Sequence, residues 1–127
     1  MHLFKAQYEL ERLDIIHRDV KPSNVALSFD TMTSSQVDET DFLTNFDFSV
    51  NEGTYHVKFL DFGLSDKSDE NGFGSAEISG TWAYSSPEQL KGGFQTQKSD
   101  IWSIGCIFYQ LLHGKLLFDG KDRNQVI

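Results

Sequence analysis

The sequence predicts an α+β fold, mainly helical with a few short strands. Three observations carry this. Met1 to Leu13 places Leu3, Phe4, Tyr8, Leu10 and Leu13 roughly on one side of a helix. Asp100 to His113 is a second helix-length apolar run, ended by Gly114. Three shorter runs, Ile15-Ile16, Asn24 to Leu27 and Val57 to Leu60, read as strands.

Taken in order, the first helix leads into Ile15-Ile16, a short strand that delivers His17. Asn24 to Leu27 begins the second strand, and Val57 to Leu60 is a third that ends at Asp61. About 30 residues separate these last two. The stretch from about 28 to 56 is polar, acidic and rich in Ser and Thr, and reads as a solvated insertion. It also holds Phe42, Leu43, Phe46, Phe48 and Val50, which is unusual for a linker. A docking segment and a translated intron both stay open. In the second case Val50-Asn51-Glu52-Gly53 would continue the strand after Ala26.

Gly63 to Ser79 is a loop rich in Gly and Ser. Pro87-Glu88-Gln89-Leu90 opens a short helix that Gly92-Gly93 breaks. Ser99 is the expected N-cap of the helix Asp100 to His113. Ile101, Trp102, Ile104, Ile107, Phe108, Leu111 and Leu112 make that helix apolar on nearly all sides, so burial all round is expected.

The chain of 127 residues carries 19 acids against 11 Lys and Arg, a net charge of −8. That argues against nucleic acid and anionic membranes as partners. Six of the acids and none of the bases lie between Ser28 and His56, which leaves 13 against 11 elsewhere. The acidity therefore belongs to one segment. Cys106 is the single cysteine and sits in an apolar helix, so an inert buried thiol is expected. No disulfide can form within the chain. The charged N-terminus is not a signal peptide, and Ile104 to Leu112 is too short to span a bilayer. A reducing compartment is expected, the cytoplasm first and the nucleus as the alternative.

The chemistry concentrates in His17-Arg18-Asp19-Val20-Lys21-Pro22-Ser23-Asn24 and Asp61-Phe62-Gly63. One loop offers an acid, a base and an amide, and the other offers a carboxylate beside a turn. Alone, an Asp-x-Lys is more often a surface ion pair and an Asp-Phe-Gly more often a plain turn. Two further segments follow in order: Gly80-Thr81-Trp82-Ala83-Tyr84-Ser85-Ser86-Pro87-Glu88 and Asp100-Ile101-Trp102-Ser103-Ile104-Gly105. Together the four resemble the catalytic loop, metal-binding turn, substrate-docking segment and central helix of the eukaryotic protein kinases.

The resemblance implies a partial large lobe running from the catalytic loop to just after the central helix, mainly helical, with the strands Asn24 to Leu27 and Val57 to Leu60 paired as a short β-hairpin. Only 16 residues precede His17. No glycine-rich loop, strand lysine or partner glutamate is found there, so the small lobe is expected to be absent. The finer likeness, from Ile15 to Ala26, from Asp100 to Ile107 and from Leu116 to Gly120, is to the MAP kinases and their stress-activated branch. Two departures stand against it. Ala76-Glu77-Ile78 occupies the place of the Thr-x-Tyr phosphorylation pair, and Trp82 stands where that branch usually has arginine.

The resemblance implies ATP and Mg²⁺ as cofactors and assigns roles residue by residue. Asp19 would orient the acceptor hydroxyl; an ordinary aspartate is a weak base, so positioning should outweigh proton abstraction. Lys21 would neutralise charge on the γ-phosphate. Asn24 and Asp61 would hold Mg²⁺, and Ala26 would lie under the adenine. Thr81 would bond Asp19 and Lys21, and with Lys21 marks the serine/threonine branch. Asp100 would cap the catalytic-loop backbone, while His17 and Phe62 would pack. Arg18, beside the base, calls for an anionic partner. An upstream kinase acting on Ser65, Ser68, Ser75 or Ser79 would supply one.

Two functions compete. One is a serine/threonine kinase using Mg-ATP on a protein substrate. The other is an inactive fragment that binds a substrate or partner kinase, or a truncated gene product. Without an ATP roof the 127-residue chain is expected to show negligible phosphotransfer. Glu88, whose arginine partner would lie beyond Ile127, is expected to be an unpaired acid.

Overall fold

The computed structural model describes residues 2–30, 53–76 and 80–126. Within them the chain forms four helices and two small antiparallel sheets. Helix α1 (His2–Arg12) buries Gln7 and Leu10, with Leu3 and Ala6 packed beside the core. Those positions follow the i, i+3, i+4, i+7 spacing of one helix face. Phe4, Tyr8 and Leu13, expected on that face, stand exposed. Phe4 and Tyr8 belong to the neighbouring stripe, rotated by about 100°.

Strand β1 (Ile15–Ile16) enters the loop that begins at His17. A 3-10 turn, Pro22–Asn24, leads into β2 (Val25–Phe29). Strand β3 (Tyr55–Phe59) pairs with β2 from Val25↔Phe59 to Phe29↔Tyr55, and the Asp30 N–H extends the ladder to Thr54 O at 2.9 Å. Tyr55 and Phe59 are buried while His56 and Lys58 point to water, the alternation of a half-buried strand. Leu27, Ser28 and Phe29 therefore continue the strand after Ala26. The rival continuation through Val50, and the apolar residues 42–48, lie outside the described residues.

Strand β4 (Asp66–Lys67) pairs antiparallel with β1, Ile16 opposite Asp66. It has no apolar residue, so no hydrophobic period announced it. Helix α2 (Pro87–Lys91) starts at the N-cap Ser86, whose capping box is closed by Gln89, and ends at Gly92 with φ +70°. Helix α3 (Gln97–His113) starts a turn earlier than expected. Thr96 is the N-cap, and Ser99 is the residue that closes its capping box. Gly114 ends α3 in the left-handed conformation, as expected. A short helix α4 (Arg123–Val126) follows.

The core gathers Leu10 of α1, Val20 of the loop 17–24, Phe59 of β3, and Ile104 and Ile107 of α3. Burying such side chains stabilises by about 1.5–3 kcal/mol each. Val20 lies inside the loop 17–24, so the core grips that loop directly. Helix α3 is buried on one face only, through Ser99, Asp100, Ser103, Ile104, Cys106 and Ile107. Ile101 and Trp102 are partly exposed, and Leu111 and Leu112 are 71% and 80% exposed, against the expectation of burial all round. Cys106 is buried, and burial pushes its thiol pKa up, which fits an inert thiol. Among the described residues no helix is long and apolar enough to cross a membrane.

Candidate active site

The loop after β1 is positioned from beneath by α3. Asp100 accepts the His17 N–H at 2.7 Å and the Arg18 N–H at 2.9 Å, one on each carboxylate oxygen. Burial pushes the Asp100 carboxyl above its ordinary range, and those two donors pull against the rise. Arg18 has φ +71°, the left-handed region. Such a residue costs about 1–3 kcal/mol and persists where its surroundings over-determine it. They do here, because Gln89 Nε2 also donates to the Arg18 carbonyl at 2.9 Å. His17 is fully buried between Phe59 and Phe62. Its Nδ1 accepts the Asp19 N–H at 3.3 Å and its Nε2 donates to Leu60 O at 2.9 Å, which assigns the Nε2–H tautomer.

Asp19, Lys21, Asn24 and Thr81 meet around one carboxylate. Thr81 Oγ1 donates to Asp19 Oδ1 at 2.9 Å and accepts from Lys21 Nζ at 2.9 Å. Lys21 Nζ also lies 3.1 Å from Asp19 Oδ2. Asn24 Nδ2 donates to the Asp19 carbonyl at 2.9 Å and to Oδ2 at 3.2 Å. A base, a cation and a hydroxyl from two distant segments are thus held in one triangle. Sequence spacing alone brings only three of the four together.

Asp61 sits at the end of the next segment with φ +56°, and its Oδ1 accepts the Gly63 N–H at 3.1 Å. The Leu60 N–H donates to Asn24 O at 2.8 Å, so the chain entering Asp61 lies against the end of the loop 17–24. Asn24 commits its amide nitrogen to Asp19, which turns its carbonyl oxygen the other way. Asp61 presents an exposed carboxylate. Both are hard oxygen donors of the kind Mg²⁺ takes, one or two from protein and the rest from phosphate and water. Among the described residues no three His, Cys, Asp or Glu side chains converge as a denser ligand set. Ala26 pairs with Lys58 in the hairpin, on the face away from Val25 and Phe59.

The Arg18 side chain is buried. Its Nε donates to Gln95 Oε1 at 3.0 Å, and its guanidinium lies 3.8 Å from Asp66 Oδ2 in β4. Asp66 accepts the Ser75 N–H at 2.8 Å and the Ser75 hydroxyl as well. The Ser75 hydroxyl and amide, with lesser help from the Lys67 N–H and Arg18, hold the Asp66 carboxyl below its ordinary value. Glu88, expected to lack its arginine, is satisfied by a neutral donor: it accepts the Ser99 hydroxyl at 2.6 Å. Burial raises its carboxyl, but the hydrogen bonds from Ser99, its own backbone and Ser86 outweigh that and lower it. Of the loop hydroxyls proposed for phosphorylation, Ser79 lies outside the described residues, as do Glu77 and Ile78.

Gln89, Gln95, Asp66 and Gly80 escaped the sequence reading as parts of this site. Ser86-x-x-Gln89 matches a capping-box pattern, which locates Gln89 at a helix start but not under Arg18. Gly80 has φ +92°, and a Cβ there would stand 2.7 Å from Arg18 O. Gln95 and Asp66 carry no local signal; only the folded chain brings them to Arg18.

Residues 2–127 match the family model described as the protein kinase domain. Ribosomal protein S6 kinase alpha-6 of Danio rerio is 33% identical over 118 residues, covering 93% of this chain and 13% of that protein. Ribosomal protein S6 kinase alpha-3 of Homo sapiens is 35% identical over the same lengths. Mitogen-activated protein kinase pmk-1 of Caenorhabditis elegans is 36% identical over 110 residues, 86% of this chain and 22% of that protein. The chain thus spans between about an eighth and a fifth of the relatives it matches. With the catalytic-loop and docking-segment motifs folded around one carboxylate, the chain belongs to the protein kinase family.

Proposed function

We propose that this chain carries the phosphoryl-transfer centre of a serine/threonine protein kinase of MAP-kinase-like type, in the large lobe of its domain. The Asp19–Lys21–Thr81 triangle supports the reading most directly. Asp19 aligns an acceptor hydroxyl and takes its proton as the acceptor oxygen bonds to the γ-phosphorus of ATP and the bond to the β–γ bridging oxygen breaks, with ADP leaving. Lys21, held 3.1 Å from Asp19, faces the charge on the transferred group. Thr81 holds the two at a fixed separation, so catalysis is mostly positioning. Asn24 and Asp61 would hold Mg²⁺, which supplies positive charge against the phosphate oxygens. The relatives divide between S6 kinases and a mitogen-activated kinase, and both names denote kinases. The MAP-kinase-like reading rests on the residues from Ile15 to Ala26, from Asp100 to Ile107 and from Leu116 to Gly120.

The test is Mg-ATP-dependent labelling of serine- and threonine-bearing protein acceptors by the full natural chain, beside an Asp19→Asn variant. Labelling on Ser or Thr that the variant loses supports the reading. Labelling on tyrosine, or labelling indifferent to Asp19, sinks it. A second reading, a non-catalytic binding module, is favoured by the exposed Leu111 and Leu112. Stable complexes with no labelling in any preparation would select it.

A further inference from the structure

The anionic partner that Arg18 requires is expected to arrive by phosphorylation of the loop between Gly63 and Ser79. The structure shows an anion already there. Arg18 is buried, at 6% exposure, and a buried guanidinium without a counter-charge is strongly disfavoured. Asp66 stands 3.8 Å from it, and Gln95 accepts from its Nε. We propose that Asp66 is a positioning residue for the catalytic loop, supplying from within the chain the negative charge that orders Arg18. Phosphoryl transfer then does not depend on phosphorylation of the activation segment. This inference rests on the kinase reading above.

Three observations make Asp66 a fixed element rather than a passing surface charge. It lies in β4, registered opposite Ile16, two residues from Arg18. Its carboxylate is oriented by the amide and hydroxyl of Ser75, which close residues 66–75 into a loop. That loop is pinned again where the Gly74 N–H donates to Gln95 O at 2.8 Å, the same residue whose side chain holds Arg18. A Cβ on Gly74 would meet Ile16 Cδ1 at 2.8 Å, so the loop lies tightly on β1. Arg18 in turn sets the peptide that precedes Asp19. The path from Asp66 to the base is two side chains long.

Ser75 is the natural exchange partner. Its hydroxyl sits on the Asp66 carboxylate, so moving the charge from position 66 to position 75 keeps it beside Arg18. The experiment uses the full natural chain, stripped by phosphatase and shown by intact mass to carry no phosphate. Wild type, Asp66→Asn, and the exchange Asp66→Ser with Ser75→Asp are compared for kcat, KM for ATP and melting temperature.

The expected result is an active phosphate-free wild type. Asp66→Asn should lose about 10²-fold in kcat, the scale of a misplaced catalytic group, with KM for ATP little changed. The exchange variant should recover most of that loss. A purely structural residue would lower the melting temperature without this kcat-only loss and without rescue by the exchange. Activity that vanishes when phosphate is removed from wild type overturns the inference and leaves the kinase reading standing. So does an Asp66→Asn protein with full kcat, or a folded exchange variant that stays as slow as Asp66→Asn. A wild type silent both before and after phosphatase overturns the kinase reading, and this inference with it.

Discussion

Gly80 and Arg18 touch through backbone alone: a Cβ on Gly80 would stand 2.7 Å from the Arg18 carbonyl oxygen, and Gly80 itself has φ +92°. The contact joins the segment 80–88 to the loop 17–24 at the residue before Asp19. Gly80→Ala therefore meets both a clash and an unfavourable backbone conformation. It should destabilise the chain by about 1–3 kcal/mol. Thermal melts beside kinase assays would check this, with activity falling further than stability because the displaced carbonyl belongs to Arg18. A variant with unchanged melting and turnover would show that the two segments do not meet this way.

Thr81 links Asp19 and Lys21 through a single hydroxyl. Thr81→Ser keeps that oxygen and should stay within a few-fold of wild type in kcat. Thr81→Val keeps the shape and removes the hydroxyl, which should cost about 10²-fold. Equal turnover in both variants would mean that the methyl group, and not the hydroxyl, is what position 81 supplies.

The start of α3 rests on the reciprocal pair Thr96 and Ser99. Thr96→Ala should cost about 1 kcal/mol, as lost N-caps do. Ser99→Ala should cost more, because it also strips Glu88 of its 2.6 Å donor. Urea midpoints would rank the two, and the reverse order would argue against the Glu88–Ser99 bond as a stabilising contact.

Asp66 makes stability depend on pH. Its folded-state pKa is lowered from 3.8, first by the Ser75 hydroxyl and then by the Ser75 amide. A depressed carboxylate stabilises the fold above its unfolded value and loses that contribution as pH falls through the folded one. The melting-temperature gap between wild type and Asp66→Asn should thus be constant from neutral pH to about pH 5 and shrink below about pH 4. A gap independent of pH would show that Asp66 acts through shape and not charge.

Much of the fold was legible because its signals are local. Helical spacing located α1, glycines ended α2 and α3, and short apolar runs located the hairpin strands. The same locality explains the errors. A helix in α1 was clear, but which face turned inward depended on what packed against it, and Gln7 displaced Phe4 from the core side. Thr96 and Ser99 both satisfy the chemistry of a cap, and only hydrogen-bond geometry distinguishes the cap from the residue that closes the box.

Asp19, Lys21 and Asn24 share one short loop, so their meeting follows from chain connectivity and could be read directly. Thr81 was placed beside them by family likeness, and the fold puts it there across 60 residues. Nothing along the chain joins Arg18 to Gln89, Gln95 and Asp66. Those contacts exist because Asp100 and the core hold the catalytic loop against α2, α3 and β4 at once, and a buried guanidinium must then find its partners among whatever the packing brings near. Local propensity and covalent spacing decide which residues can do the chemistry. Only burial, which makes an unpaired charge costly, decides which distant residues must hold them in place.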